Sequence, residues 1–423
     1  QRIRSVAAHW NRFRDVDAVE VSSGRPDDVS PPPPAACQKC MPVDDAETGF
    51  ISESEALDVC RRCFPVRTRE ALESCVPEKV RVSHVADLGT NSCQGGILKL
   101  SATLSSGIQV QSIVKLVFEP DDEDAAKARA WGAYLAEAAF YREGHAERVL
   151  AAGAPCPAPL LVDAGHEAGR GRCLLVCMTC LDGRQVRTLN GAQTAAALRW
   201  LARLHAAFWG PLADAAVARG LQEQGCFWHL DARREELACL PEDGFEGRLK
   251  KVARGIDARL KADSSQSICH GDAKASNMVF SADGGVSFCD FQFCGRATPA
   301  KDLAYCLLCS AERAEEPARL ERLLEVYLDE LSPRVAAAGS APPRLQDLRD
   351  SYRLSLCDFA RWMASWECWP EFRAKLLRRC EATLDAIDGQ RRWMSEEEYV
   401  DAVFEAFPVA AGPGAAAGAG AAA

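Results

Sequence analysis

Residues 268–280 read ICHGDAKASNMVF, with Asp272 followed by Lys274 two positions on and Asn277 five positions on. Eighteen positions after Asp272 comes Asp290, in CDFQF, on a run that reads as a strand. Two carboxylates, an amide and an ammonium confined between apolar segments suit a site that grips a metal and a phosphate. Phosphoryl transfer asks little covalent chemistry of a protein. It needs a divalent ion on the phosphate oxygens, a positive group beside them and a carboxylate that orients the acceptor hydroxyl. Asp272 fits the orienting carboxylate and Lys274 the positive group, while Asn277 and Asp290 offer the hard oxygen ligands that Mg2+ prefers. Taken singly these residues have duller readings. His270 reads as a hydrogen-bonded loop histidine, His205 as a packed helix residue, and Asp302 as either an N-cap or an anchor for the 270–277 loop.

Such a site must be positioned by other elements. Between about 78 and 118 the pattern is that of three antiparallel strands, KVRVSHVADL, ILKLSATL and IQVQSIVKLVF, separated by the turns GTNSCQGG and SSG. The last strand carries Lys115. The segment DEDAAKARAWGAYLAEAAFYREGHAERVL reads as one long helix. At about 100° per residue Glu137 falls at the margin of its apolar stripe, where it can pair with Lys115. A Lys–Glu pair on the α- and β-phosphates is the arrangement phosphoryl transfer would use. Gly89, Ser92, Gly95 and Gly96 in the first turn could let backbone N–H groups approach phosphates. Further on, GRCLLVCMTCL reads as a buried strand, and AQTAAALRWLARLHAAFWG, EPARLERLLEVYLDEL and FRAKLLRRCEATLDAI as helices. The expected class is α+β, a small antiparallel β-rich N-lobe over residues 46–180 and a larger helical C-lobe over 181–408.

HGDAKASN with DFQ, preceded by IVK, EAAFYREG and LARLHAAFW and followed by KDLAYCL, resembles the aminoglycoside phosphotransferase and choline kinase superfamily, most closely its ecdysteroid-kinase-like (CHK kinase-like) branch. The likeness runs in order over roughly residues 50 to 400, and the His-Gly-Asp to Asp-Phe-Gln block is its most specific part. It implies a protein-kinase-like bilobal fold that uses ATP and Mg2+. Asp272 is then the catalytic base, Asn277 and Asp290 are the magnesium ligands, and Lys115 with Glu137 positions the phosphates. The adenine is implied to lie against the strand ending near Met178 to Cys180, by backbone contacts. Two positions depart from the pattern: VCMTCL stands where such proteins usually carry acidic residues, and Lys274 where Trp, His or Gln is common.

The chain has 423 residues, 48% hydrophobic and 26% charged, with a formal net charge of −10. That acidity argues against a nucleic-acid partner or an anionic membrane surface, so any anion must be held locally. No apolar run reaches the roughly 20 residues a membrane helix needs. Most of the 20 cysteines sit singly in apolar runs, as reduced thiols of an intracellular, cytoplasmic protein would; Gln1 in place of Met fits a processed or truncated end. Cys37, Cys40, Cys60 and Cys63 have zinc-ribbon spacing, but the first pair follows PPPPAA and the second lies in an amphipathic run, so unconnected thiols are the preferred reading. Residues 1–45 read as a disordered tail and 409–423 as a low-complexity Ala/Gly tail.

The expected activity is transfer of the γ-phosphate of ATP to a hydroxyl of a small-molecule acceptor, the alternative being a nucleotide-binding scaffold without phosphotransfer. A protein kinase fits less well, since only twelve positions separate Asp290 from Asp302, too few for a peptide platform. Sterols, choline-like amines, sugars and aminoglycosides all remain open as acceptors. Trp362, Trp366 and Trp369 read first as core, and otherwise as a pocket for a flat apolar or cationic substrate that Asp358 could contact.

Overall fold

A computed structural model describes residues 79–87, 95–103, 109–120, 125–167, 171–314, 316–366, 369–389 and 394–409. The proline-rich segment, the four zinc-spaced cysteines, Gly89, Ser92 and the Ala/Gly-rich end lie outside them. The chain divides into two compact units, one ending at Arg142 and resuming over Pro157–Cys180, the other formed by Glu143–Cys156 and the residues from Leu181 onward.

The first unit is built on a five-stranded sheet of order β1-β2-β3-β5-β4, from β1 (Lys79–Asp87), β2 (Gly95–Thr103), β3 (Gln109–Phe118), β4 (Pro159–Glu167) and β5 (Gly171–Thr179). Every pairing is antiparallel. The three-strand meander read from the sequence is present, but β2 begins earlier than expected: Gly95 and Gly96 already pair in the ladder, opposite Val117 and Leu116. β4 carries no clean alternation in PLLVDAGHE and was not foreseen. β3 has a strand on each side, and Ser112, Val114, Lys115, Val117 and Phe118 are all buried, so Lys115 lies in the sheet interior opposite Ile97 and Val176.

The helix after β3 is not continuous. It divides into α1 (Ala125–Arg142) and α2 (His145–Ala151) at Gly144, whose φ of 78° is left-handed. Glycine reaches that conformation without the Cβ penalty other residues carry, which is why the periodic pattern runs on while the helix stops.

The second unit is mainly helical: α3 (Gly191–Ala207), α4 (Pro211–Val217), α5 (Arg234–Ala238), α6 (Gly244–Lys261), α7 (Ala300–Cys309), α8 (Pro317–Ala337), α9 (Leu345–Met363), α10 (Trp369–Asp388) and α11 (Glu396–Ala406). α3 starts at a capping box in which Asn190 and Gln193 exchange side-chain and backbone hydrogen bonds. Inside α3, Trp200 stacks on Phe288 at 4.0 Å and donates its Nε1–H to the Pro155 carbonyl at 2.8 Å. Two three-residue ladders complete the unit. β6 (Ser267–Cys269) pairs with β9 (Gly295–Ala297), and β7 (Met278–Phe280) with β8 (Val286–Phe288). These ladders tie both ends of segment 270–277 to both ends of segment 289–294, so Asp272 and Asp290 are brought together although eighteen positions apart. Among the described residues no helix is long and apolar enough to cross a membrane.

Candidate active site

In the first unit, Lys115 Nζ donates to both carboxylate oxygens of Glu137, at 2.8 and 2.9 Å, with both side chains buried. A lysine in a sheet interior needs such a partner, because an unpaired buried ammonium is strongly penalised. Met178 lies within β5, opposite Ile113 and Pro159, and Cys180 just past the strand donates its N–H to the Gln111 carbonyl at 3.4 Å.

In the second unit the loop after β6 begins with a turn that only glycine permits. Gly271 has φ +84°, and a Cβ there would lie 2.1 Å from the Phe293 carbonyl oxygen. Gly271→Ala is therefore expected to cost about 2–4 kcal/mol, from backbone strain plus a clash with main chain that cannot swing aside. A urea-unfolding midpoint equal to that of the parent would contradict this.

Asp302, on the first turn of α7, anchors the loop. It accepts the backbone N–H of His270 at 2.6 Å and of Gly271 at 2.9 Å, and its Oδ2 lies 3.2 Å from His205 Nε2. His205 is itself bonded through Nδ1 to the Tyr327 hydroxyl at 2.9 Å. Burial alone would raise Asp302, but these donors, His205 first, hold it below the usual carboxylate range. Of the two readings open from sequence, the anchor is the one the geometry supports.

His270 joins the two chemical segments. Its Nδ1 accepts the Asp272 N–H at 3.3 Å, so its Nε2 is the donor to the Cys289 carbonyl at 3.1 Å. Burial depresses its pKa and keeps the ring neutral.

Asp272 is 2% exposed. Its Oδ2 receives Nδ2 of Asn277 at 2.9 Å and Nζ of Lys274 at 2.9 Å, whereas its Oδ1 is buried outside both bonds, with the Tyr305 phenol close to the carboxylate. Burial pushes this carboxyl up, Lys274 draws it down and Asp290 pushes it up again. Burial would lower Lys274, but the adjacent Asp272 more than offsets this and raises it. Asp290 is left-handed, φ 71°, a conformation uncommon outside glycine and often found at functional sites, and Gln292 Nε2 donates to its Oδ2 at 3.3 Å. Asp272, Lys274, Asn277 and Asp290 thus occupy one neighbourhood.

A family model described as the phosphotransferase enzyme family matches residues 113–348, more than half of the chain and spanning Lys115, Glu137, Asp272 and Asp290. The chain belongs to the phosphotransferase enzyme family. No curated protein matches the sequence. Among solved structures, an amicoumacin kinase in complex with AMP-PNP and Ca2+ is similar at 14% identity, covering 79% of this chain and 94% of that one, with a TM-score of 0.43. An aminoglycoside-3'-phosphotransferase of type VIII is similar at 20% identity, over 72% and 98%, TM-score 0.40. A choline kinase from Streptococcus pneumoniae is similar at 13% identity, over 75% and 98%, TM-score 0.41.

The residues of this phosphotransferase fit a divalent cation. Asp290 lies close enough to Asp272 to push its carboxyl up, and Asn277 donates through Nδ2, which leaves its carbonyl oxygen to act as a ligand. An all-oxygen set of this kind suits Mg2+.

Two features were not read from the sequence. Tyr305 lies one helical turn after Asp302 and close enough to Asp272 that, after burial, that carboxylate is the next cause of its raised phenol pKa; the i, i+3 spacing was the available signal. The other is a buried ion group in which Asp358 is flanked by Lys301 at 3.0 Å and Arg361 at 2.8 Å. Beside it His229 accepts the Ala232 N–H through Nδ1 at 3.3 Å, and burial first, then Lys301, lowers its pKa to about 4. A histidine depressed on folding contributes stability that is complete above its unfolded value near 6.5 and is lost as the pH falls towards the folded one. The parent should accordingly lose about 2 kcal/mol more than His229→Asn between pH 7 and 4.5 in urea titrations. Equal losses would contradict the neutral assignment.

Proposed function

We propose that this phosphotransferase moves the γ-phosphate of ATP to a hydroxyl of a small molecule. The observation that carries the reading is the state of Asp272, a buried carboxylate with one oxygen clamped by Asn277 and Lys274 and the other outside that clamp, on a carboxylate that the Tyr305 phenol also approaches. That second oxygen is the acceptor for a substrate O–H. As the hydroxyl oxygen bonds to phosphorus and the bond to the ADP oxygen breaks, the proton passes to Asp272. Its raised affinity for protons makes it a better base than an exposed aspartate. Lys274 is placed to hold charge on the transferred phosphate, and Lys115, fixed by Glu137, serves the remaining phosphates. Gly95, Gly96, Met178 and Cys180 are assigned to nucleotide contacts, and Gly89 and Ser92 keep that assignment from sequence alone. Asn277 and Asp290 would hold Mg2+, which when bound offsets charge on the phosphate oxygens.

The test is incubation of the purified protein with Mg-ATP and a pooled library of hydroxylated metabolites, followed by mass spectrometry for acceptors gaining a phosphate. A phosphorylated product that is absent with Asp272→Asn supports the proposal. ATP binding without any ADP or product favours the nucleotide-binding scaffold, and absence of ATP binding removes both readings.

A further inference from the structure

We infer that the acceptor is an uncharged alcohol with an apolar or aromatic body, and that the buried Lys301–Asp358–Arg361 group disfavours cationic alcohols. The inference rests on Asp272 being the residue that meets the acceptor hydroxyl. A run of aromatic rings starts at that residue. Phe293 is rooted against the loop, its Cβ 2.9 Å from where a Gly271 Cβ would be, and Tyr305 feels the Asp272 charge. Phe227 continues the run, with ring centroids 4.9 Å from Phe293, 6.1 Å from Tyr305 and 4.9 Å from Trp362, and Trp366 follows 5.2 Å beyond Trp362. Phe227, Phe293 and Trp366 are only half-buried, so part of this aromatic surface remains open to a ligand.

Aromatic faces can serve either a cation or an apolar ring, and a nearby carboxylate decides between them. Asp358 is the acid that α9 places beside these rings, one turn before Trp362. It is 2% exposed and already committed: Lys301 Nζ lies 3.0 Å from its Oδ2, and Arg361 donates to its Oδ1 at 2.9 Å through Nε and 2.8 Å through Nη2. Two cations against one carboxylate leave this group net positive. Lys301 also lies 4.5 Å from the centre of the Trp228 ring, and Arg361 donates to the Trp228 carbonyl, so both are fixed in place. Asp257, the next acid, shares Lys261 with Asp231, at 2.6 and 2.7 Å, and Asp272 is paired with Lys274 at 2.9 Å. Aromatic area open to a ligand, with the nearby carboxylate already held by two buried cations, describes a surface for a neutral alcohol.

A matched pair tests this: 3,3-dimethylbutan-1-ol and choline, which have nearly the same shape and differ in charge, with 2-naphthaleneethanol as a flat neutral probe. The full chain is titrated with each by calorimetry, and ADP release is measured with Mg-ATP. The neutral alcohol should bind at least about tenfold more tightly than choline, and the naphthyl alcohol more tightly again. Lys301→Met, checked for folding by its thermal melt, should move the choline-to-neutral ratio at least about fivefold towards choline. If that variant does not fold, the matched pair on the parent still decides. Choline binding as well as or better than its isostere, or no binding of either neutral probe, overturns the inference. Neutral preference in calorimetry without ADP release counts against phosphotransfer and leaves the acceptor preference standing.

Discussion

Asp272→Asn is expected to lower phosphoryl transfer by about 10²–10⁴-fold while nucleotide affinity stays within a few-fold of the parent. The amide has the shape of the carboxylate and can still face Asn277 and Lys274, but it cannot take a proton from the acceptor. The structural consequence runs the other way. Burial raises the Asp272 carboxyl above its ordinary value, so carrying the ionised form at neutral pH opposes folding. The variant should melt at the same temperature as the parent or higher. Calorimetry with ATP, ADP release and a thermal melt read the three quantities. Parent-like turnover would remove Asp272 as the base, and loss of nucleotide binding would assign it a different role.

The chemistry was more legible in the sequence than the scaffold that holds it. Asp272, Lys274 and Asn277 lie within six residues, and a segment that short cannot scatter them far. Lys115 and Glu137 were legible because a strand and the helix after it, each with its own period, converge on one interior; their two oxygen–nitrogen contacts follow from that. The β6–β9 and β7–β8 ladders were not legible, since three-residue strands show no alternation to read. Gly144 was hidden for a different reason. The apolar spacing continues through it, and only its left-handed φ of 78° breaks the helix. Asp358 shows the limit of assigning a charge from sequence: its neighbour Arg361 is at i+3, but Lys301 comes from another helix 57 positions earlier (358 − 301). What reads as an acid available to a substrate is spent on internal cations.

Asp302→Ala should destabilise the protein by about 3–5 kcal/mol and lower turnover even in the fraction that remains folded. The residue is fully buried and serves three donors at once, the backbone N–H groups of His270 and Gly271 and the Nε2 side of His205. Alanine leaves those donors without an acceptor in a site water does not reach. Asp302→Asn keeps the volume but turns an NH2 group towards donors, so an intermediate loss is expected. Because Asp302 is held below the usual carboxylate range, its contribution is complete above a pH of about 4 and disappears as the pH falls through the lowered folded value. The parent's stability should therefore drop more steeply than the variant's on acidification. Hydrogen exchange separates a local anchor from general damage. If Asp302 fixes the loop, the amides of His270 and Gly271 lose protection in Asp302→Asn at neutral pH while those of α3 and α8 keep theirs. Uniform loss across the second unit would make Asp302 a core residue only, and unchanged protection at both amides would remove it from the positioning of Asp272.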